Sequence, residues 1–188
     1  PKWLKAAAII AARNDIRYYL DGVLVEVYEH EARLVGTDGH RMVIFRKLVE
    51  GAAPTRLIVP TEIIGLLRPS AKHPKIDATI SYDPSNAAAR ATLDYLSIGF
   101  QFTPIDGKFP EYAQVMNKAA KPSGVVTPLD INYLADFQRC VQIAFGEARI
   151  WQPSIRHNGQ EPAAVTFKGR DDFFGLITYG PPGNGKTR

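Results

Sequence analysis

Cysteine is almost missing from this chain: Cys140 is the only one in 188 residues. A single thiol excludes an intrachain disulfide and any zinc site built from several cysteines, and it fits a reducing compartment such as the cytoplasm. Long hydrophobic runs are missing too. No stretch reaches the roughly 18 apolar residues that a transmembrane helix needs, and no charged segment leading into an apolar run and a small-residue cleavage site opens the sequence. Neither a membrane span nor a secretory leader is expected. Catalytic signatures are equally scarce. There is no G-x-S-x-G elbow, and Cys140 sits in no nucleophile signature and reads as a packed helix residue. His30, His40, His73 and His157 are scattered, with no helical pairing, so no metal site and no cofactor are expected. His40 reads as a turn residue rather than an acid–base group. The chain reads as a non-enzyme.

What is present is an ordinary soluble composition, 45% apolar and 22% charged, with a net charge of +4. The placement of the charge says more than its size. Residues 1–14 carry Lys2, Lys5 and Arg13 and no acid. Positions 2, 5 and 13 fall on one stripe of a helix. Arg68, Lys72, His73 and Lys75 form a second basic group. Such groups serve as solvated faces suited to helix C-termini, or as surfaces facing phosphates.

Three segments share one plan. An Ala-rich helix over residues 1–12, with Leu4, Ala7, Ala8 and Ala11 as its apolar face, is followed by alternating stretches at 22–28, 32–37 and 42–48. Asp38-Gly39 supplies turn chemistry between the last two. Strand 56–59 leads through Pro60 into a short helix over 61–68, followed by strands at 75–82, 87–95 and 97–102. A third helix is expected with Thr127 as N-cap, Pro128 at N1 and Asp130 at N3. Ile131, Leu134, Phe137 and Val141 form its buried face. Strands at 148–152, 163–168 and 173–179 come next, with residues 153–162 as a loop or distorted hairpin. The expected fold is α+β, built from helix-plus-three-strand units with helices on one face of antiparallel sheets. The division reads as two units over 1–118, one unit over 119–179 and a tail over 180–188. Residues 117–123 have linker composition.

Three blocks carry more than composition: Asp15-Ile16-Arg17-Tyr18-Tyr19-Leu20-Asp21-Gly22-Val23, Thr37-Asp38-Gly39-His40-Arg41-Met42, and Asp106-Gly107-Lys108-Phe109-Pro110-Glu111-Tyr112. In this order they resemble the middle domain of the bacterial sliding clamp, the beta subunit of DNA polymerase III. Leu129 to Asp136 resembles the helix start in the second half of that family's last domain. The resemblance is strong over 14–116 and weak beyond. It implies a DNA clamp fold, a DNA replication role as processivity factor, and a homo-oligomer that encircles duplex DNA without reading bases. On that view Lys2, Lys5, Arg13, Asn14, Tyr18, Tyr19, Arg68 and Lys72 approach DNA. Arg17, Leu20, Thr37, Gly39, His40, Arg41, Met42, Pro110, Val115 and Tyr133 form a groove for a short Gln/Leu/Phe-bearing peptide of polymerase or clamp-loader subunits. Leu20, Met42, Pro110 and Val115 would give apolar surface, Arg17, Thr37 and Arg41 rim hydrogen bonds, and Gly39 close backbone approach. The family's M-P-M-R-like tail is replaced here by Thr178-Tyr179-Gly180-Pro181.

Two other readings stand beside this one. The chain could keep the groove without a ring and act as an interaction protein or decoy for clamp partners. The tail Gly180 to Thr187 also satisfies G-x-x-x-x-G-K-[ST], the phosphate loop of many nucleotidases. That loop needs a following helix, an acidic strand and a parallel sheet, none of which is legible, so ATP hydrolysis is not expected.

Overall fold

The computed structural model describes residues 1–69, 77–83, 85, 90–119, 129–146, 151–156 and 162–178. The first helix, α1 (Lys2–Ile10), precedes β1 (Gly22–Val27), β2 (Glu31–Thr37) and β3 (Arg41–Leu48). Next come β4 (Thr55–Pro60), α2 (Thr61–Leu66), β5 (Thr79–Tyr82), β6 (Ala91–Tyr95) and β7 (Ile98–Phe102). The chain continues with α3 (Tyr112–Ala119), α4 (Ile131–Phe145), β8 (Pro153–Arg156), β9 (Ala163–Phe167) and β10 (Phe173–Ile177). The strands make a seven-stranded sheet in the order β4-β1-β2-β3-β10-β9-β8 and a three-stranded sheet β5-β6-β7, and every pairing is antiparallel.

The register sorts the large sheet into two faces, because side chains alternate along each strand. Leu57, Val25, Leu34, Phe45 and Phe173 stand in one row, with Val59, Val23, Gly36, Val43, Gly175 and Val165 in the next. This inner face packs against α1 and α4 in one core that includes Ile64 of α2 and Leu93, Tyr95 and Phe102 of the small sheet. Two glycines let the helices approach. A Cβ on Gly36 would lie 2.2 Å from the Ala7 carbonyl oxygen, and one on Gly175 would lie 3.1 Å from the Phe137 ring. Trp3, Phe45, Phe145, Trp151, Phe167 and Phe173 make a run of stacked and edge-on ring contacts beneath the helices.

The opposite face is also apolar. Ile58, Leu24, Val35, Ile44 and Phe174 form one row, and Met42, Leu176 and Ala164 continue it. The segment through Phe109 and α3 covers them. The expectation of helices on one face therefore gains an exception, since α3 lies on the face away from α1 and α4.

Several local expectations need correction. Helix α1 stops at Ile10, where Ala11 turns extended (φ −58°, ψ 150°). Within the helix Leu4, Ala6, Ala7 and Ile10 are buried, because α4 and the sheet flank it together; of the expected positions Ala8 is partly buried and Ala11 is buried just past the helix end. Asp130 is the N-cap of α4 and not N3; its carboxylate accepts from the Asn132 amide at 2.8 Å. Thr127 and Pro128 lie outside the described residues. Pro153–Arg156, expected in a loop or distorted hairpin, is strand β8, paired antiparallel with β9. Trp151 is drawn into the aromatic core, and the Gln138 side chain accepts from its backbone N–H at 3.1 Å. The chain joins the ladder only at Pro153, an edge-strand start that tolerates proline. Helix α3 overlaps residues 117–119, where a linker was expected.

Candidate nucleic-acid interface and partner groove

The basic residues of the N-terminal stripe do not act as one helical row. Lys5 and Arg13 line an open groove of about 400 Å³ between α1 and α2, with Asn14, Glu62, Gly65 and Ile143 of α4. Lys5 Nζ donates to the Gly65 carbonyl at 2.9 Å, and Arg68 donates to the same oxygen. Both cations thus complement the C-terminal turn of α2. Burial first, then the nearby Arg68 charge, lowers the Lys5 pKa. Lys2 lies at the other end of α1, with its Nζ 3.0 Å from where a Cβ on Gly146, the α4 C-cap, would stand. Arg13 is exposed and falls beyond the helix end. Lys72 lies outside the described residues.

The loop after α1 is shaped by Asn14, which takes a left-handed conformation (φ 55°). Asp15 then pairs with Arg17, whose Nε and Nη2 donate at 3.0 and 2.9 Å. These hydrogen bonds hold the Asp15 carboxyl down at about 2. A 3-10 turn, Tyr18–Leu20, follows. The two tyrosines part company there: Tyr18 is 58% exposed, while Tyr19 packs edge-on against it and against Gly107. Ile16, which the sequence reading did not single out, is 97% exposed at the tip of this loop.

The groove residues cluster around the β2–β3 turn. The Asp38 carboxylate accepts from the amides of His40 and Arg41, and Gly39 takes φ +89°. Thr37 Oγ1 accepts from the Gly39 amide and donates to the Arg41 carbonyl at 2.7 Å. The space beside Gly39 is filled by Arg17, whose Nη1 lies 2.4 Å from an ideal Cβ and whose Nη2 donates to the Asp38 carbonyl. Arg41 is drawn inward. It pairs with Asp38 at 3.1 Å and with Asp136 of α4, and lies 4.7 Å over the Tyr133 ring. Burial opposes its charge, yet the Asp136 and Asp38 carboxylates keep its pKa raised. Arg41 therefore ties the first repeat to α4. Thr178 adds to the seam by donating its amide and hydroxyl to the His40 carbonyl, both at 2.7 Å.

The expected apolar members lie deeper. Leu20 is 1% and Met42 7% exposed. They share the outer-face cluster with Phe109 and Tyr112, and the half-buried Val115 and Met116 pack against it. Pro110 is half-buried just before α3, and its carbonyl accepts from the Tyr112 amide at 2.8 Å. At the N-terminus of α3 the Tyr112 hydroxyl donates to buried Glu26, and Arg33 donates to that hydroxyl at 3.4 Å. Burial and the Glu26 hydrogen bond raise the Tyr112 pKa. Arg56 pairs with the other Glu26 oxygen at 3.2 Å. Met116 and Glu26 were missed from sequence, and Tyr112 and Asp136 stood in the quoted blocks without an assigned role. Helix α3 left a readable signal, its apolar positions at 112, 115, 116 and 119.

Other chemistry finds little footing. Burial pushes the Cys140 thiol up, and it donates to the Ala6 carbonyl. Among the described residues no cluster of three or more His, Cys, Asp or Glu could hold a metal ion, and no helix is long and apolar enough to cross a membrane. The tail 180–188 lies outside the described residues.

Comparison with known proteins places this geometry. Residues 2–111 match the model of the DNA polymerase III beta subunit, central domain. Over 119 residues the chain is 32% identical to the beta sliding clamp of Pseudomonas putida strain KT2440, covering 61% of this chain and 31% of that protein. It is 34% identical to the Vibrio cholerae beta sliding clamp over 108 residues, or 56% of this chain and 28% of that one. The chain thus spans about a third of the length of these relatives. The sliding clamp of Pseudomonas aeruginosa superposes with a TM-score of 0.66 at 17% identity, over 94% of this chain and 63% of that one. The beta chain of Streptococcus pneumoniae does so with a TM-score of 0.68 at 15% identity, over 94% and 61%. At such identities these likenesses speak for the fold. The match over 2–111 takes in more than half of the sequence, and on that ground the chain belongs to the DNA polymerase III beta subunit family, through its central domain.

Proposed function

We propose that this chain is a clamp-like, non-enzymatic processivity module that holds duplex DNA by charge and shape and docks polymerase or clamp-loader peptides. The observation that carries the DNA half is the helical groove. Lys5, Arg13 and Asn14 line it together, and the exposed Tyr18 follows in the next loop. Cations along the helices suit phosphate contact without base readout. The docking half is assigned to the surface around Arg41 and Tyr133 over Met42, with Val115 and Pro110 toward α3. Topological hold requires assembly with further copies, and the setting is the cytoplasm.

Retention on closed circular DNA, lost when the circle is cut, tests the clamp reading directly. A solution mass equal to one chain at micromolar concentration would overturn a ring. Peptide binding without retention would make the chain an interaction protein that competes for clamp partners. Arg13→Ala should weaken DNA binding evenly across sequences and reduce the log–log salt slope by about 1. An unchanged slope would remove Arg13 from the interface.

A further inference from the structure

We infer that Arg139 of α4 is a further phosphate contact, and that the carboxylate it shares with Arg41 makes the partner groove tighten when DNA is held. This rests on both halves of the proposed function and names a link between them. Helix α4 carries one cation, Arg139, and one acid, Asp136. Its buried residues Phe137, Cys140, Val141 and Ala144 belong to the inner core. Asn132, Ala135, Arg139 and Ile143 are exposed and fall three or four apart, so they form one stripe on the solvent side. Ile143 of that stripe lines the helical groove with Lys5, Arg13 and Asn14. The Cys140 thiol donates to the Ala6 carbonyl and Lys2 Nζ reaches toward Gly146, so α4 runs antiparallel to α1. Position 139 therefore stands one turn from Ile143, level with the stretch of α1 just after Ala6, between Lys5 and Arg13. The Arg139 side chain is 71% exposed and has room to turn to a phosphate.

The link is Asp136. Its side chain is 22% exposed, and each of its oxygens meets a different arginine. Oδ2 accepts from Arg41, which lies over the Tyr133 ring at the groove. Oδ1 accepts from Arg139 at 3.4 Å, the longer and weaker of the two contacts. Two cations thus compete for one carboxylate. A phosphate that takes Arg139 leaves Asp136 to Arg41 alone. Arg41 is then held more firmly over Tyr133, and a peptide entering that groove has less ordering to bring about. The exchange also works in reverse, because coupling between two binding sites is reciprocal. Its size is bounded by the Arg139–Asp136 pair, and a pair with one partner this exposed shifts an equilibrium by no more than about fivefold.

Titration of an end-capped, fluorescent Gln/Leu/Phe-bearing peptide into wild type and Arg139→Gln, each with and without a saturating duplex oligonucleotide, tests this. The substitution lies on an exposed stripe, so the fold should stay intact. With wild type, duplex should tighten peptide binding by about two- to fivefold. Arg139→Gln should bind the peptide at the tightened level with or without duplex. Its log–log salt slope for duplex should fall by about 1, while Arg139→Lys keeps the slope. An unchanged slope in Arg139→Gln overturns the phosphate contact and the link built on it. Coupling that persists in Arg139→Gln overturns the shared carboxylate as its route. Wild type that binds both ligands without coupling, or whose peptide binding duplex weakens, overturns the link and leaves the proposed function in place. Wild type that binds only one of the two ligands removes the other half of the proposed function, and the link goes with it.

Discussion

The two faces of the seven-stranded sheet are both apolar, yet they are covered in different ways. The inner face lies under the nine-residue α1 and the fifteen-residue α4, with a run of aromatic rings between. The outer face lies under the segment through Ile105 and Phe109 and under α3, whose Tyr112 hydroxyl donates to Glu26 and accepts from Arg33. Burial is equally deep on both, with Val35 and Ile44 at 0% exposed on the outer face and Val43 and Phe45 at 0% on the inner one. The difference therefore lies in the kind of cover: packed helices and rings inside, a loop segment and a partly exposed helix outside.

The largest test of this contrast is Phe173→Ala on the inner face. The ring is 1% exposed and meets Phe45, Phe137 and Phe167, so its loss should cost about 3–5 kcal/mol in urea unfolding. Next is Arg41→Ala, which removes the Asp136 partner across the seam while Arg139 still pairs with that carboxylate, and should cost about 2 kcal/mol. Met116→Ala should cost only about 1 kcal/mol, because that side chain is only partly buried against the outer cluster. If Met116→Ala proves as damaging as Phe173→Ala, the two covers are equally costly to disturb and the contrast fails.

The smallest effect concerns Asp172, just before β10. Burial, partly opposed by Arg170, raises its pKa, and its Oδ1 is buried without a hydrogen bond. A carboxyl with a raised folded pKa contributes stability below the ordinary aspartate value of about 3.9 and loses it as pH climbs through the raised value. Asparagine has no such loss. Melting temperatures of Asp172→Asn and wild type should therefore diverge in favour of the variant as pH rises above about 4. A gap that stays constant with pH would rule out titration of this group.

Much of the architecture was legible because alternation and turn chemistry are local. Val23, Val25, Val43 and Phe45 read as strand residues from their neighbours alone, and Asp38-Gly39 announced its turn. The pairing of β3 with β10 was not legible, since a strand pattern does not name a partner more than 120 residues away. A hint of α3 was present twice: in its own spacing, and in strand β1, where Val23, Leu24 and Val25 are apolar in succession and so require cover on both faces. In the site, the Asp15–Arg17 pair and the Thr37–Gly39 turn follow from adjacent residues. The capture of Arg41 by Asp136 and Tyr133 depends on α4 arriving from far along the chain.

That seam between β3 and β10 has a bearing on how the protein is made. A nascent chain that has emerged only through β7 presents Arg41–Leu48 as an open edge, with Met42, Ile44 and Phe45 bare on its two sides. Such an edge invites pairing with another chain. The strand that closes it, β10, lies more than 120 residues further on, so this seam forms well after β1–β3 have been made, and a fragment that stops before β10 is prone to self-association.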